Sequence, residues 1–199
     1  PASLAGIGTN AFYHCDALTN ISVASGNLFY RSEDGVLYDT SRHPALLRCP
    51  GGKSGAFVVP EGTWYLADRA FAGCRRLTEV TLPASLVNVG TNTFYQCDAL
   101  TDITADDDNS FYGSIDGVLY LASRQVHLVC CPGGKSGAFV VPSGVLYIDA
   151  GAFAGCSRLT EVSIPVSVLG VGTNAFYRCD ALTNIVSASP IYTPSDGLL

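Results

Sequence analysis

Residues Ala70 to Pro83 read AFAGCRRLTEVTLP, and variants of this stretch recur along the whole chain. Phe12, Phe71, Phe94, Phe153 and Phe176 are each followed three residues later by a cysteine: Cys15, Cys74, Cys97, Cys156 and Cys179. Three residues further stand Leu18, Leu77, Leu100, Leu159 and Leu182, and three further again Ile21, Val80, Ile103, Val162 and Ile185. A residue type that returns at fixed spacing repeats one packing role. Self-similarity of this kind predicts a solenoid, in which each unit buries its apolar face only against its neighbours.

The spacings set the period. Cys15 to Cys97 and Cys97 to Cys179 each span 82 residues, whereas Cys74 to Cys97 spans 23. The strand-ending prolines Pro60, Pro83, Pro142 and Pro165 lie 23, 59 and 23 apart. One unit in three is therefore 13 residues longer, and units of 36, 23 and 23 residues make an 82-residue super-repeat. A unit of about 20–29 residues with an L-x-x-L-x-L core fits the leucine-rich repeat class, and Leu77-x-x-Val80-x-Leu82 is one instance.

The expected architecture is a leucine-rich repeat solenoid of the α/β class, rich in β. A parallel strand lies on one face of each repeat, short helical turns on the other, and an inserted β-hairpin in every third repeat. Phe12 and Cys15, at i and i+3, share a face when their segment is a helical turn, with Thr9 or Asn10 as its N-cap. Leu18 to Val23 alternates apolar and polar residues, as a strand with one buried face does. Regular strands are expected near Leu77–Leu82 and Leu100–Thr104. In the long unit, Phe29-Tyr30, then Asp34 to Tyr38, then Ala45 to Cys49 read as two short strands, with a polar turn at Thr40 to Pro44 between them. Residues 107–142 repeat the insertion, and Cys49–Pro60 returns unchanged as Cys131–Pro142. The array runs over 1–199 as one domain. Pro1-Ala2-Ser3-Leu4 matches Pro83-Ala84-Ser85-Leu86, and Tyr192–Leu199 matches the start of a third hairpin, so both ends fall inside repeats. Uncapped ends of this kind predict weak self-association.

Apolar residues make up 48 % of the chain and charged residues 14 %, so there is ample material to bury. Eleven Lys and Arg against seventeen Asp and Glu give a net charge of −6. A mildly acidic chain without a basic run is a poor candidate for nucleic acid. No apolar run approaches the ~18 residues of a membrane span, so insertion of this segment into a membrane is not expected.

The run Val171-Gly172-Thr173-Asn174-Ala175-Phe176, continued by Cys179, Leu182, Thr183 and Ile185, resembles the BspA-like leucine-rich repeats of bacterial and protist surface proteins. The Asp-Gly-Val-Leu-Tyr insertion followed by Cys-Pro-Gly-Gly-Lys is similar to arrays of that family. The resemblance implies a cell-surface or extracellular location and, for some members, adhesion to host matrix or other cells. It brings no catalytic residues and no cofactor.

Local motifs are weighed against the repeat. Five of the eight cysteines share one buried repeat position, where a free thiol acts as a small hydrophobe. Cys74–Cys97 and Cys156–Cys179 occupy adjacent rungs, but parallel stacking points their side chains the same way rather than at each other. Cys130-Cys131 is a vicinal pair whose counterpart, Arg48-Cys49, holds one cysteine. No Cys-x-x-Cys or histidine cluster accompanies it, so no metal is expected. Gly52-Lys53-Ser54 and Gly134-Lys135-Ser136 resemble the end of a phosphate-binding loop, but Leu47 and Val129 stand where that motif requires glycine. Asp106-Asp107-Asp108-Asn109 offers oxygens to calcium, yet its counterpart is Ala24-Ser25-Gly26-Asn27 and the spaced ligands are missing. His14, His43 and His127 form no cluster and read as surface residues. No Ser–His–acid arrangement follows from spacing, and the chain is not expected to be an enzyme.

The remaining candidate is a binding surface. With Leu77, Val80 and Leu82 buried, Thr78, Glu79 and Thr81 face outward, as do Thr101, Asp102 and Thr104, and Thr160, Glu161 and Ser163. Rungs about 4.7–4.9 Å apart stack these into rows of hydroxyls beside a broken row of acids. Gly55-Ala56-Val58 and Gly137-Ala138-Val140 interrupt the rows. Tyr30, Tyr38, Tyr112 and Tyr120 gather on the hairpins and are expected to form a lip. Threonine is also simply a good strand residue. Two readings stay open: a protein-binding or adhesion module, and a spacer that displays another domain.

Overall fold

The computed structural model describes residues 1–8, 11–12, 15–122 and 126–188. The proposed cap at Thr9 or Asn10, His14, and the expected hairpin strand at 192–199 lie outside them. The long unit supplies β1 (Tyr30–Glu33), β2 (Val36–Asp39), β3 (Ala45–Arg48) and β4 (Ser54–Val58). The next two units supply β5 (Tyr65–Leu66) with β6 (Arg76–Leu82), and β7 (Asn88–Val89) with β8 (Asp102–Ala105). The second super-repeat gives β9 (Tyr112–Ile115), β10 (Val118–Leu121), β11 (His127–Cys130) and β12 (Ser136–Val140). It continues with β13 (Tyr147–Ile148), β14 (Arg158–Ile164), β15 (Gly170–Val171) and β16 (Asn184–Ser187).

The chain winds as a β-solenoid of parallel strands. One face holds two three-stranded parallel sheets, β4-β6-β8 and β12-β14-β16. Each coil also carries a second, shorter strand, and these form the parallel runs β3-β5-β7 and β11-β13-β15. Between the faces lie Leu77, Val80 and Leu82 with Phe71, Cys74 and Leu86, all buried. Their counterparts Leu159, Val162, Ile164, Phe153, Cys156 and Val168 form the second half of the core.

No helix forms among the described residues, which corrects the expectation of helical turns. The hydrogen bonds give the reason. The amides of Ala70, Ala72 and Cys74 bond locally to Ala67, Arg69 and Phe71 carbonyls, at 3.0 Å each. Those of Arg69, Phe71 and Gly73 instead leave for Thr91, Thr93 and Tyr95 in the next coil, at 2.9–3.1 Å. A helix needs every amide bonded to the fourth residue back along the same segment. Here alternate amides are committed to the neighbour, and left-handed residues at Arg69 (φ 57°) and Gly73 (φ 79°) reset the chain after each turn. Phe71 and Cys74 still share the buried face, because a three-residue turn places i and i+3 together as a helix does.

The insertion is larger than one hairpin. β1, β2 and β3 form an antiparallel meander, and β3 is itself a rung of the second face. The polar turn at 40–44 stands where it was expected. The first turn, Asp34-Gly35, has both residues left-handed (φ 49° and 76°), the twist a two-residue hairpin requires. Its tip wedges into the strand face: Gly35 O accepts Ile21 N at 2.8 Å, and Gly117 O accepts Ile103 N at 2.9 Å. The second tip separates β8 from β12, so the face is split into two sheets. Leu18–Val23, expected as a strand, forms none: Ile21 bonds to the first tip as Ile103 of β8 bonds to the second, but Leu18–Val23 has no parallel partner among the described residues, whereas β8 pairs with β6.

The long unit also lacks the loop of its neighbours. Five residues join β3 to β4, against nine joining β5 to β6. The short connection passes beneath adjacent loops, and Cys49 N donates to Ala70 O at 2.7 Å.

Candidate functional site

The strand face is built from the outward residues of β4, β6 and β8 and of β12, β14 and β16. Register aligns Ala56, Glu79 and Asp102 in one column and Val58, Thr81 and Thr104 in the next. The second sheet aligns Ala138, Glu161 and Asn184 beside Val140, Ser163 and Val186. The acid row is thus two short runs separated by the second hairpin tip. Thr78 falls at a bulge between Gly55 and Ala56, out of the Glu79 column. Thr101 Oγ donates to Thr78 O at 3.2 Å, and Thr183 repeats this bond with Thr160. Thr78, Glu79, Thr101, Thr104 and Thr160 are exposed, and Thr81, Asp102, Glu161 and Ser163 half-buried.

This face also exposes valines. Val58 and Val140 keep 66 % and 69 % of their surface open, and Val186 follows at 47 %. Isolated exposed apolar residues are ordinary, but these repeat at one register position. Sequence reading noted Val58 and Val140 only as interruptions and passed over Val186. The signal was there: a strand that must bury Phe57 and Val59 leaves Val58 pointing out.

The tyrosine lip does not form. Tyr38 is 0 % exposed and Tyr120 1 %, and Tyr112 is also buried. β2 and β10 are the central strands of their meanders, and successive residues Val36, Leu37 and Tyr38, like Val118, Leu119 and Tyr120, are buried, so both faces of these strands are covered. The Arg31 guanidinium lies 4.4 Å from the Tyr38 ring centre. Burial, then the Glu33 charge, holds the Tyr38 hydroxyl well above its usual range. Tyr112 donates no contact to a surface; its hydroxyl accepts Val89 N at 3.0 Å.

The other candidates resolve as structure. Asn109 is a staple: its Nδ2 donates to Pro83 O (2.7 Å) and Leu86 O (3.0 Å), and its Oδ1 accepts the amides of Phe111 and Tyr112 (2.8 Å each). Its amide is thus fully used by backbone, and Asp106 caps the same turn through Asp108 N at 2.9 Å. His127 pairs with Asp149 at 2.7 Å and stacks on Tyr147, while His43 packs on Trp64. The eight thiols are free. Cys74, Cys97 and Cys156 are buried in the ladder, and Cys15 and Cys179 half-buried. Burial raises the Cys97 thiol well above its ordinary range; for Cys156 a hydrogen bond with Cys131 leads and burial follows. No helix among the described residues is long and apolar enough to cross a membrane.

Comparison with known proteins agrees with this architecture. A family model described as the BspA type leucine rich repeat region matches in six copies, over residues 1–37, 53–115 and 133–196. A leucine rich cell surface protein of Faecalibacterium prausnitzii is 32 % identical, with a TM-score of 0.64 over 98 % of this chain and 50 % of that one. The chain therefore spans half the length of that protein. The pneumococcal vaccine antigen PcpA (20 % identity, TM-score 0.57, 66 % of this chain and 39 % of that one) shares the fold. So does a leucine-rich repeat protein of Eubacterium ventriosum (21 %, 0.55, 68 % and 42 %). No curated protein matches the chain. With its repeat spacing, its stacked Phe–Cys–Leu rungs and a family model matched over most of its length, this chain belongs to the BspA type leucine-rich repeat family.

Proposed function

We propose that this chain is a non-catalytic protein-binding module, displayed at the cell surface or outside the cell, and that it docks an adhesion partner on the strand face. The supporting observation is that Val58, Val140 and Val186 stand exposed at one register position, among Thr81, Thr104 and Ser163, beside the carboxylates of Glu79, Asp102 and Glu161. Spaced apolar side chains among hydroxyls, flanked by one sign of charge, suit a protein partner that brings apolar and basic side chains, such as a host matrix or cell-surface protein. The cell-surface description of the F. prausnitzii protein supports the location. The spacer reading is the alternative; it predicts that no surface of the chain is selective.

The test is a binding screen against matrix proteins and host-cell surfaces with the natural chain and the triple variant Glu79→Lys, Asp102→Lys, Glu161→Lys. These carboxylates form no salt bridge among the described residues, so the thermal midpoint should scarcely move. Binding should be lost. A partner that binds the variant with full affinity rules out the strand face, and no partner in the whole screen favours the spacer.

A further inference from the structure

Each loop-free long unit leaves a gap between the loops on either side, and the two copies fill it differently. In the first copy a cavity of about 810 Å³ opens there. Ile7, Phe12 and Leu47 line it together with Arg48, Arg69, Asp39 and Asp68. The corresponding cavity of the second copy measures about 220 Å³. The 82-residue offset pairs Arg48 with Cys130, Arg69 with Gly151, Asp39 with Leu121 and Asp68 with Ala150. In the second copy the loops close directly on each other. A Cβ at Gly151 would stand 2.7 Å from Asn92 Oδ1, and one at Gly155 2.9 Å from Gln96 N. The first copy carries Arg69 at the former position and stays open. The larger volume thus occurs where Arg48, Asp39 and Asp68 stand, whereas the smaller cavity of the second copy keeps one carboxylate, Asp149, which is paired with His127.

Arg48 is 9 % exposed. Its Nη1 donates to Arg69 O at 2.7 Å and its Nη2 to Phe12 O at 3.2 Å, while Nε is buried without a partner. Among the described residues no carboxylate forms a salt bridge with it. A guanidinium taken from water and held by neutral carbonyls keeps a charge that a carboxylate answers best. Asp39 and Asp68 line the same space and also lack a salt bridge. Each Oδ1 accepts a backbone amide, from Ala45 at 2.9 Å and Thr91 at 2.7 Å. The volume lies within the ~300–1,000 Å³ of small-molecule sites, and its lining sets apolar side chains beside charges of both signs.

We propose that this cavity binds a zwitterionic α-amino acid with an apolar side chain. Its carboxylate meets Arg48, its ammonium faces Asp39 and Asp68, and its side chain lies against Ile7, Phe12 and Leu47. The site is separate from the strand face, and its failure would leave the adhesion reading standing.

The experiment is calorimetric titration of the whole chain with L-phenylalanine, 3-phenylpropionate and phenethylamine, the last two lacking the ammonium and the carboxylate. L-Phenylalanine should saturate one site per chain, and each analogue should bind at least tenfold more weakly. Arg48→Cys, which installs the residue of the second copy, should abolish binding. Because Arg48 also ties two loops together, Asp68→Ala provides a second variant that keeps the tie; it should weaken L-phenylalanine at least threefold and leave 3-phenylpropionate unchanged. The proposal is overturned by the absence of saturable binding at about 10 mM, tenfold above a Kd of about 1 mM. Phenethylamine binding as tightly as the amino acid, or both variants binding L-phenylalanine as the natural chain does, overturns it equally.

Discussion

Replacing Asn109 with alanine should cost about 4 kcal/mol, and the identical change at Asn27 about 1 kcal/mol. Asn109 is 6 % exposed, and its side chain serves two carbonyls and two amides at 2.7–3.0 Å. Alanine leaves all four buried groups without that partner, at a net loss of about 1 kcal/mol each. Asn27 makes the same four bonds in the first copy, to Pro1 O, Leu4 O, Phe29 N and Tyr30 N. Those bonds are mostly exposed, and water takes over most of what the side chain gives up. A domain of ordinary stability holds about 5–15 kcal/mol, so the larger loss is readily measured. Urea unfolding of the natural chain and both variants, followed by far-UV circular dichroism and by the single tryptophan, Trp64, gives the difference directly. An Asn109 variant within about 1 kcal/mol of the natural chain, or no costlier than the Asn27 variant, would refute the reasoning from burial.

Gly117→Ala should destabilise by about 2–3 kcal/mol, since the residue is left-handed (φ 72°) and its Cβ would stand 2.8 Å from Thr101 O and 2.9 Å from Asp102 Cα; a urea midpoint equal to the parent's would contradict the tip's close seating. The thiols should resist alkylation in the folded protein and all eight should react after unfolding, which a timed mass-spectrometric labelling series reads out. Stability should also fall as pH rises above 9. Burial moves Cys179 from its ordinary 9.0 to about 11, and Cys97 and Cys156 are raised as well. The unfolded chain then releases protons that the folded chain keeps, so this stability is full below pH 9 and is lost as pH climbs through the folded values. A flat urea midpoint between pH 8 and about 11 would count against buried, protonated thiols.

The period, the parallel strand face and the buried residues were legible because they rest on spacing. Phe71, Cys74, Leu77 and Val80 recur at threes, and that pattern survives whatever backbone joins them. The backbone itself was not legible for the same reason: a three-residue turn and a helical turn both bring Phe71 over Cys74. What distinguishes them is where alternate amides go, and that depends on the next coil. The left-handed residues Arg69, Asn92 and Gln96 carry no glycine to announce them. The Asp34-Gly35 turn did carry its signal, since Asp-Gly between apolar runs is a strong hairpin mark. The burial of Tyr38 carried none, because it depends on what packs over the faces of β2. The outward register of Glu79, Asp102 and Glu161 follows from alternation alone. The split between β8 and β12 does not, because it depends on where a hairpin tip folds back.

The strand face as docking surface is tested most directly by hydroxyl-radical footprinting of the chain with and without a partner found in the binding screen. The method reads side-chain exposure residue by residue. Val58, Val140 and Val186 start largely open on the strand face. Leu169 and Tyr177 start open elsewhere on the chain, at 48 % and 52 %. The account predicts that the partner protects the three valines and leaves Leu169 and Tyr177 as reactive as before. Protection of Leu169 and Tyr177 with the valines unchanged would contradict it.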